Sequence, residues 1–407
     1  MRMLFLAPSQ MSKGDAAVAA DLARQIPRKR LQVGFVAAAE AMPQLHDLGM
    51  PTLPLTGATP AENQAILDRV VRGFRPDCLI TADAFAVDRS SDWTGLTVDG
   101  LRERYDCPIG SIDRVGWQDT DYTADLYGGD SERLPRLLDS CDLLIRPCPP
   151  HAPTGKPAGA GRPTVVHAGL HRGGLKEGGL RPVTIEDAPA PEAESKPVIF
   201  IVNSDWEYRN PRGSQAVAEL IEALPGVLHS HFAALGRPLR IVHVSPQAWQ
   251  LPIAEHIDYR HFTRLPYPMF HARLAAANLF VTTNVLSATL GRAVLAGVPA
   301  LVLQNRSTVE REAAPAWLGA AAPGLRTAHP FRVAPLGWYD LLDPLLTASP
   351  YRDCFATAEI FDRESVLGRM SALLDGGVGA SQGQADFHES LAALPPPLDA
   401  LRAAVAR

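Results

Sequence analysis

Short apolar runs alternate with helix-like stretches along this chain, and the rhythm runs twice with one interruption. In the first half the apolar runs Met3–Ala7, Leu31–Ala37 and Cys78–Thr81 are separated by stretches of helical periodicity over Ala16–Gln25 and Glu62–Arg72. Parallel strands cannot be joined by a tight turn, so short buried runs spaced by helices imply a parallel sheet with crossover helices. A further run, Leu143–Arg146, opens into a stretch rich in Pro and Gly from Pro149 to Pro163. The segment Pro182–Pro197, PVTIEDAPAPEAESKP, is acidic and proline-rich and reads as a linker. After it come strand-like runs at Val198–Val202, Leu239–Val244, Ile257–Phe262, Leu279–Thr282 and Ala300–Leu303, with helices over Gln215–Ala223 and Ser287–Ala296.

The expected fold class is therefore α/β, with two tandem doubly wound units. Residues 1–181 form the first, 182–197 the linker and 198–361 the second; 362–407 is a helical segment that can pack back on the first unit. Two such units face each other across a cleft at the carboxyl ends of their strands, where open α/β sheets bind ligands.

Composition narrows the functions. A chain of 407 residues, 46% hydrophobic and 20% charged, can bury two cores. The net charge is -5 and Arg28–Arg30 is the single basic triplet, so nucleic acid is not an expected partner. The apolar opening Met1–Pro8 is far shorter than the roughly 18 residues of a membrane span. The expectation is a cytoplasmic protein without stable membrane insertion. Five cysteines with no CxxC pair argue against a disulfide framework or zinc site. A P-loop, an HExxH pair and a serine elbow are all absent, which lowers the standing of kinases and hydrolases. The abundance of Ala, Pro and Gly suits a GC-rich bacterial genome.

The segment Leu274–Gln304, LAAANLFVTTNVLSATLGRAVLAGVPALVLQ, carries the most chemistry. It reads as strand, polar turn, helix, Gly-Val-Pro and strand. The turn with Thr283 and Asn284, followed by a helix start at Ser287, offers free N–H groups, small polar side chains and the positive helix end. That suits a diphosphate; an ordinary capped helix would look the same.

The whole segment resembles the donor-binding region of GT-B glycosyltransferases, the superfamily that includes MurG-like and UDP-glycosyltransferase-like enzymes. Their pattern of strand, Gly/Ser/Thr turn, helix, G-[VL]-P and strand is matched here by Gly297–Val298–Pro299 and Ala300–Leu303. The resemblance implies a nucleotide-sugar donor in the second unit and a small-molecule acceptor in the first. It further implies a hexosyltransferase-type, inverting and metal-independent reaction, with no cofactor besides the co-substrate. Donor-binding candidates by this resemblance are Ser204, Arg209, Phe262, Thr283, Asn284, Ser287 and Glu310. Arg209 reads equally as a surface ion-pair residue, and Phe262 as core. One position departs: five residues before the Gly of G-V-P, where the MurG-like pattern has an acid for the ribose hydroxyls, stands Arg292, which can only donate. Ribose recognition would then come from elsewhere, or the nucleotide is a deoxyribose one.

On the acceptor side the loop Pro8–Asp15 follows the first strand, and relatives place an acid or His there to take the acceptor's proton. Asp15 is the candidate base; a helix N-cap is the competing role. Ser12, Asp83, Asp113 and Trp117 are the acceptor-binding candidates, each at or beyond a strand's carboxyl end. Asp119-Thr120-Asp121 spells DxD but lies away from the donor segment, so no metal ligands are assigned. Two other readings keep the fold: a nucleotide-sugar epimerase or hydrolase, and a non-catalytic sugar-nucleotide binder. Oligomeric state leaves no mark in the sequence.

Overall fold

The computed structural model describes residues 1–116, 137–153, 163–168, 196–209, 215–310, 312, 314–330, 336–337, 339–376 and 381–405. Trp117 and the Asp119–Asp121 triplet lie outside them, as does most of the segment 182–197.

Two parallel sheets make the frame. The first holds β1 (Arg2–Ala7), β2 (Gln32–Ala38), β3 (Thr52–Leu55), β4 (Cys78–Thr81), β5 (Ile109–Ile112), β6 (Leu143–Cys148) and β7 (Thr164–Ala168) in the order 3-2-1-4-5-6-7. The second holds β8 (Val198–Val202), β9 (Leu239–Val244), β10 (Ile257–Phe262), β11 (Leu279–Thr282) and β12 (Ala300–Gln304). It is completed by β15 (Ala356–Glu359) in the order 10-9-8-11-12-15, and β13 (Val309–Glu310) pairs with β14 (Thr327–Ala328) in a separate ribbon. Both sheets follow the Rossmann order, the first with one strand added at its edge.

The strands are unbroken apolar runs because both their faces are covered. All four residues of β4, all six of β6 and all five of β12 are buried. Alternate residues of one strand serve different cores: Leu4 and Leu6 face one cluster, Met3 and Phe5 another. The first of these clusters takes one face of each sheet, with Leu79 and Leu144 from one and Phe200 and Val302 from the other. The helices are set by local signals as well as by burial. Pro60–Phe74 starts with Pro60 behind Thr59, whose hydroxyl accepts from the Glu62 N–H at 3.3 Å while the Glu62 carboxylate accepts from the Thr59 N–H at 3.1 Å. At the C-terminal end, the helix Pro397–Val405 inserts Leu398 and Leu401 into the first sheet's core.

Charges clasp the two halves at one side of the cleft. Asp21, on the helix Lys13–Arg24, meets Arg292, on the helix Ala288–Leu295, at 3.0 Å, and both are buried. The Tyr267 hydroxyl donates to the other Asp21 oxygen at 3.2 Å, and the Arg292 guanidinium lies 5.6 Å from the Tyr267 ring centre. Beside it, Asp47 accepts from Arg264 at 2.7 Å and from the Tyr267 N–H at 3.1 Å. Desolvation offsets much of what a buried ion pair contributes, but removing one partner strands the other charge. Asp21→Ala is therefore expected to lower unfolding free energy by about 3–5 kcal/mol. In the Arg292→Met background Asp21→Ala has no Arg292 cation left to strand, so it should cost much less; a double-mutant cycle by urea denaturation measures the difference.

Candidate functional site

In each sheet the strand order reverses at the centre, between β1 and β4 and between β8 and β11, and helices leave in opposite directions there. Loops leaving such a pair open a crevice. The two crevices face each other across a single cavity of about 560 Å³, within the range of small-molecule sites. The loop after β1, Asp83 after β4 and Arg114 after β5 line one side; Asn203 and Ser204 after β8 and Asn284, Leu286 and Ser287 after β11 line the other.

On the first side, Asp15 is the third residue of its helix, and the N-cap position belongs to Ser12, which makes no side-chain cap bond. Capping therefore does not account for Asp15. Its carboxylate pairs with Arg114 at 2.8 Å, and the other Arg114 terminal nitrogen donates to the Leu286 carbonyl at 2.8 Å. One guanidinium thus spans the cavity from the first half to the turn that opens the helix Ala288–Leu295. Asp83 caps the helix Ala84–Arg89 by accepting from the Ala86 N–H at 3.1 Å. Burial, and next the negative charge of Asp15, hold its carboxyl well above the usual carboxylate range, against the opposing pull of the Ala86 N–H and Arg114. Met11, Phe85 and Trp93 add apolar surface on this side.

On the second side, the Asn284 side-chain oxygen accepts from the Leu286 N–H at 2.9 Å and Ser287 Oγ accepts from the Thr289 N–H at 3.2 Å. The two side chains fix a tight turn at a helix start, with the helix's positive end toward the cavity. Across from it, Asn203 Nδ2 donates to Glu207 at 2.9 Å and the Ser204 N–H donates to the other Glu207 oxygen at 3.2 Å. Burial raises the Glu207 carboxyl to about 7 in spite of these donors.

Of the residues read from the sequence, Ser12, Asp15, Asp83, Ser204, Asn284 and Ser287 line the cavity together. The others do not. Asp113 is completely buried behind β5 and pairs with Arg146 at 3.3 Å, so it cannot meet a ligand in the cavity. Thr283 turns into a small pocket behind the second side, and Phe262 packs against the core under the Arg273 guanidinium, 4.8 Å away. Glu310 is exposed on β13, where it accepts from the Thr327 hydroxyl at 2.8 Å. Arg209 ends the short helix Asp205–Arg209. Arg114 and Glu207 escaped sequence reading: a lone cation after a strand looks like surface, and two hydrogen-bond donors converging on a buried glutamate are visible only in three dimensions.

Comparison with known proteins agrees with this architecture. The structure matches that of the spinosyn rhamnosyltransferase SpnG with a TM-score of 0.56, 15% identity and 99% of both chains covered. SpnG complexed with thymidine diphosphate gives a TM-score of 0.53 at 15% identity over 99% of both chains. UDP-GlcNAc 2-epimerase from Neisseria meningitidis, bound to UDP-GlcNAc, gives 0.52 at 12% identity, over 100% of this chain and 99% of that one. These likenesses show the fold: the chain is a GT-B protein, two Rossmann-like domains facing an interdomain cleft. By sequence, residues 22–407 match the family described as "Family of unknown function (DUF6365)", and the chain belongs to that family. No curated protein matches it in sequence.

The raised Asp83 carboxyl has a measurable consequence. The folded state keeps the Asp83 proton to higher pH than the unfolded chain, so the wild type loses stability as pH rises from the unfolded value, about 4, through the folded one. Asp83→Asn retains a capping oxygen and has no proton to lose. It should melt a few degrees above the wild type near pH 8, an effect on the order of 1 kcal/mol, with the gap closing toward pH 4. A gap independent of pH in thermal melts would show that Asp83 titrates normally.

Proposed function

We propose that the cleft transfers a sugar from a nucleotide-diphosphate donor to a hydroxyl of a small-molecule acceptor. The carrying observation is the Arg114 bridge, which joins the Asp15 carboxylate to the backbone of the Leu286 turn across one cavity. In this reading the donor's diphosphate lies against Ser204 and the turn Asn284 to Ser287, and the acceptor lies against Met11, Phe85 and Trp93.

Asp15 takes the acceptor hydroxyl's proton as its oxygen bonds to the anomeric carbon from the face opposite the phosphate. The bond from the anomeric carbon to the phosphate oxygen breaks, configuration inverts, and the nucleoside diphosphate leaves. Arg114 and the N-terminal end of the helix Ala288–Leu295 meet the charge that develops on it, so the reaction proceeds without a metal. Asp83, held protonated, adds a hydrogen-bond donor beside Asp15 rather than a second negative charge. Arg292 is engaged by Asp21, so the position that carries the ribose acid in MurG-like enzymes makes no such contact here, which favours a deoxyribose nucleotide. SpnG, as named, is a rhamnosyltransferase and has been resolved with spinosyn aglycone and with thymidine diphosphate. That similarity supports a specialised-metabolite acceptor for this chain.

A thermal-shift panel of UDP, GDP, dTDP, ADP and CMP tests the donor site. The preferred nucleotide should stabilise the wild type by about 2.7 kcal/mol at a hundredfold excess over its Kd, and Asn284→Ala should lose most of that effect. Stabilisation by none of the five would sink the reading. With the donor class known, Asp15→Asn should bind it normally but turn over about 10²–10⁴-fold more slowly with acceptor. Sugar released or epimerised without any acceptor would assign the protein to nucleotide-sugar hydrolysis or epimerisation instead.

A further inference from the structure

A chain of hydrogen bonds runs behind the second side of the cavity. The Trp249 N–H meets the Tyr259 hydroxyl oxygen at 3.0 Å, that hydroxyl meets His243 Nδ1 at 2.8 Å, and His243 Nε2 meets Asn203 Oδ1 at 3.0 Å. Asn203 Nδ2 then reaches Glu207 at 2.9 Å. The chemistry allows one order of donors. A carboxylate only accepts, so Asn203 presents its NH₂ to Glu207 and its oxygen to His243. His243 must then carry its proton on Nε2 and accept at Nδ1 from the tyrosine hydroxyl. Burial, with His261 adding to it, lowers the His243 pKa to about 3, so the ring is neutral and has a single proton to place.

Glu207 is where this chain ends and where the turn after β8 is tied. It accepts from Asn203 and from the Ser204 N–H on the β8 side, and it shares the rear pocket with Asn284 on the β11 side. Asn203 and Asn284 line both the main cavity and the small pocket of about 30 Å³ behind them, which Glu207 also lines. These two amides are thus the partition between the carboxylate and the cleft. Around the pocket with Glu207 are Tyr208 on its own helix, the apolar Ile221 and Leu224 of the helix Gln215–Ala234, Trp249, and Thr283 and Asn284 after β11, while His243 on β9 and Tyr259 on β10 reach it only through Asn203.

We propose that Glu207 is the positioning residue of the donor turn after β8 and that it takes up one proton when a diphosphate enters the cleft, reversing the chain behind it. The inference rests on the donor placement given above. A diphosphate against Ser204 and Asn284 sets negative charge just across the amide partition from a buried carboxylate, and like charges at short range in a poorly solvated site favour the protonated acid. The new O–H needs an acceptor. A flip of the Asn203 amide supplies its oxygen and turns the NH₂ toward His243, whose proton must then move to Nδ1 and point at the tyrosine oxygen. One proton enters from solvent and none is lost; the Tyr259 oxygen then accepts from both the Trp249 N–H and His243 Nδ1, and its own proton turns away from the ring. Glu207→Gln mimics the protonated state: its oxygen accepts from Ser204 and its NH₂ donates to the flipped Asn203, so the fold is kept.

The test reads the ring nitrogens of His243 by ¹⁵N NMR, and follows UDP and dTDP affinity by calorimetry from about pH 6 to about pH 9. The free wild type at high pH should show the Nε2–H tautomer; Glu207→Gln, and the wild type with diphosphate, should show Nδ1–H. Wild-type affinity should fall with pH by up to about tenfold per unit more steeply than that of Glu207→Gln, one proton being linked. The terminal phosphate's own titration is common to both proteins and cancels. The same tautomer in both free proteins would overturn the chain, and equal slopes would overturn the proton uptake while leaving the donor site intact. If neither nucleotide binds the wild type near pH 6, the nucleotide-sugar reading itself fails and takes the proton coupling with it.

Discussion

Everything at the cleft depends on a constraint of connection. A parallel strand must be followed by a crossover, and crossovers that run outward from a central strand in both directions leave the central pair with loops that diverge. Both sheets have this reversal, at β1/β4 and at β8/β11. Asp15 and Asp83 stand on one divergent pair of loops, and Ser204 and Asn284 on the other. No further device is needed to bring them together once the sheets face each other.

That facing is fixed by side chains of opposite charge held out of water. Arg292 lies at the edge of the cavity, where Asp21 and the Tyr267 ring hold its guanidinium at the contact between halves. Arg114 makes the second link, and it has a different character: its partners are a carboxylate and a backbone carbonyl at the cavity wall. One arginine joins helices of the two halves, the other joins a side chain to a turn.

Sequence patterns reached the frame more completely than the site. Runs such as Cys78–Thr81, Val198–Val202 and Leu279–Thr282 are apolar throughout and coincide with strands residue for residue. β3 hides a proline inside four residues, and β15, ATAE, is too polar to read as buried. At the site, the position after a strand was legible but the direction of each side chain was not. Thr283 and Asn284 are adjacent in the same turn; one faces the rear pocket and the other stands in the wall between that pocket and the cavity. Asp113 has the same strand-end position as Asp83, yet Arg146 on the neighbouring strand draws it inward. Pairings between residues far apart in the chain, such as Arg114 with Asp15 or Asn203 with His243, leave no local trace.

The Asp21–Arg292 contact also limits how the protein can be recombined. GT-B proteins look modular, with one half for each substrate, and joining halves from different relatives is a natural way to seek new pairings of donor and acceptor. Here the second half carries a buried cation whose counter-charge belongs to the first. A chimera taking only residues 198–361 from this chain would leave Arg292 facing a foreign helix. Such an exchange must therefore carry an acid at the position of Asp21, or replace Arg292 with an apolar residue, for the two halves to meet without a stranded charge.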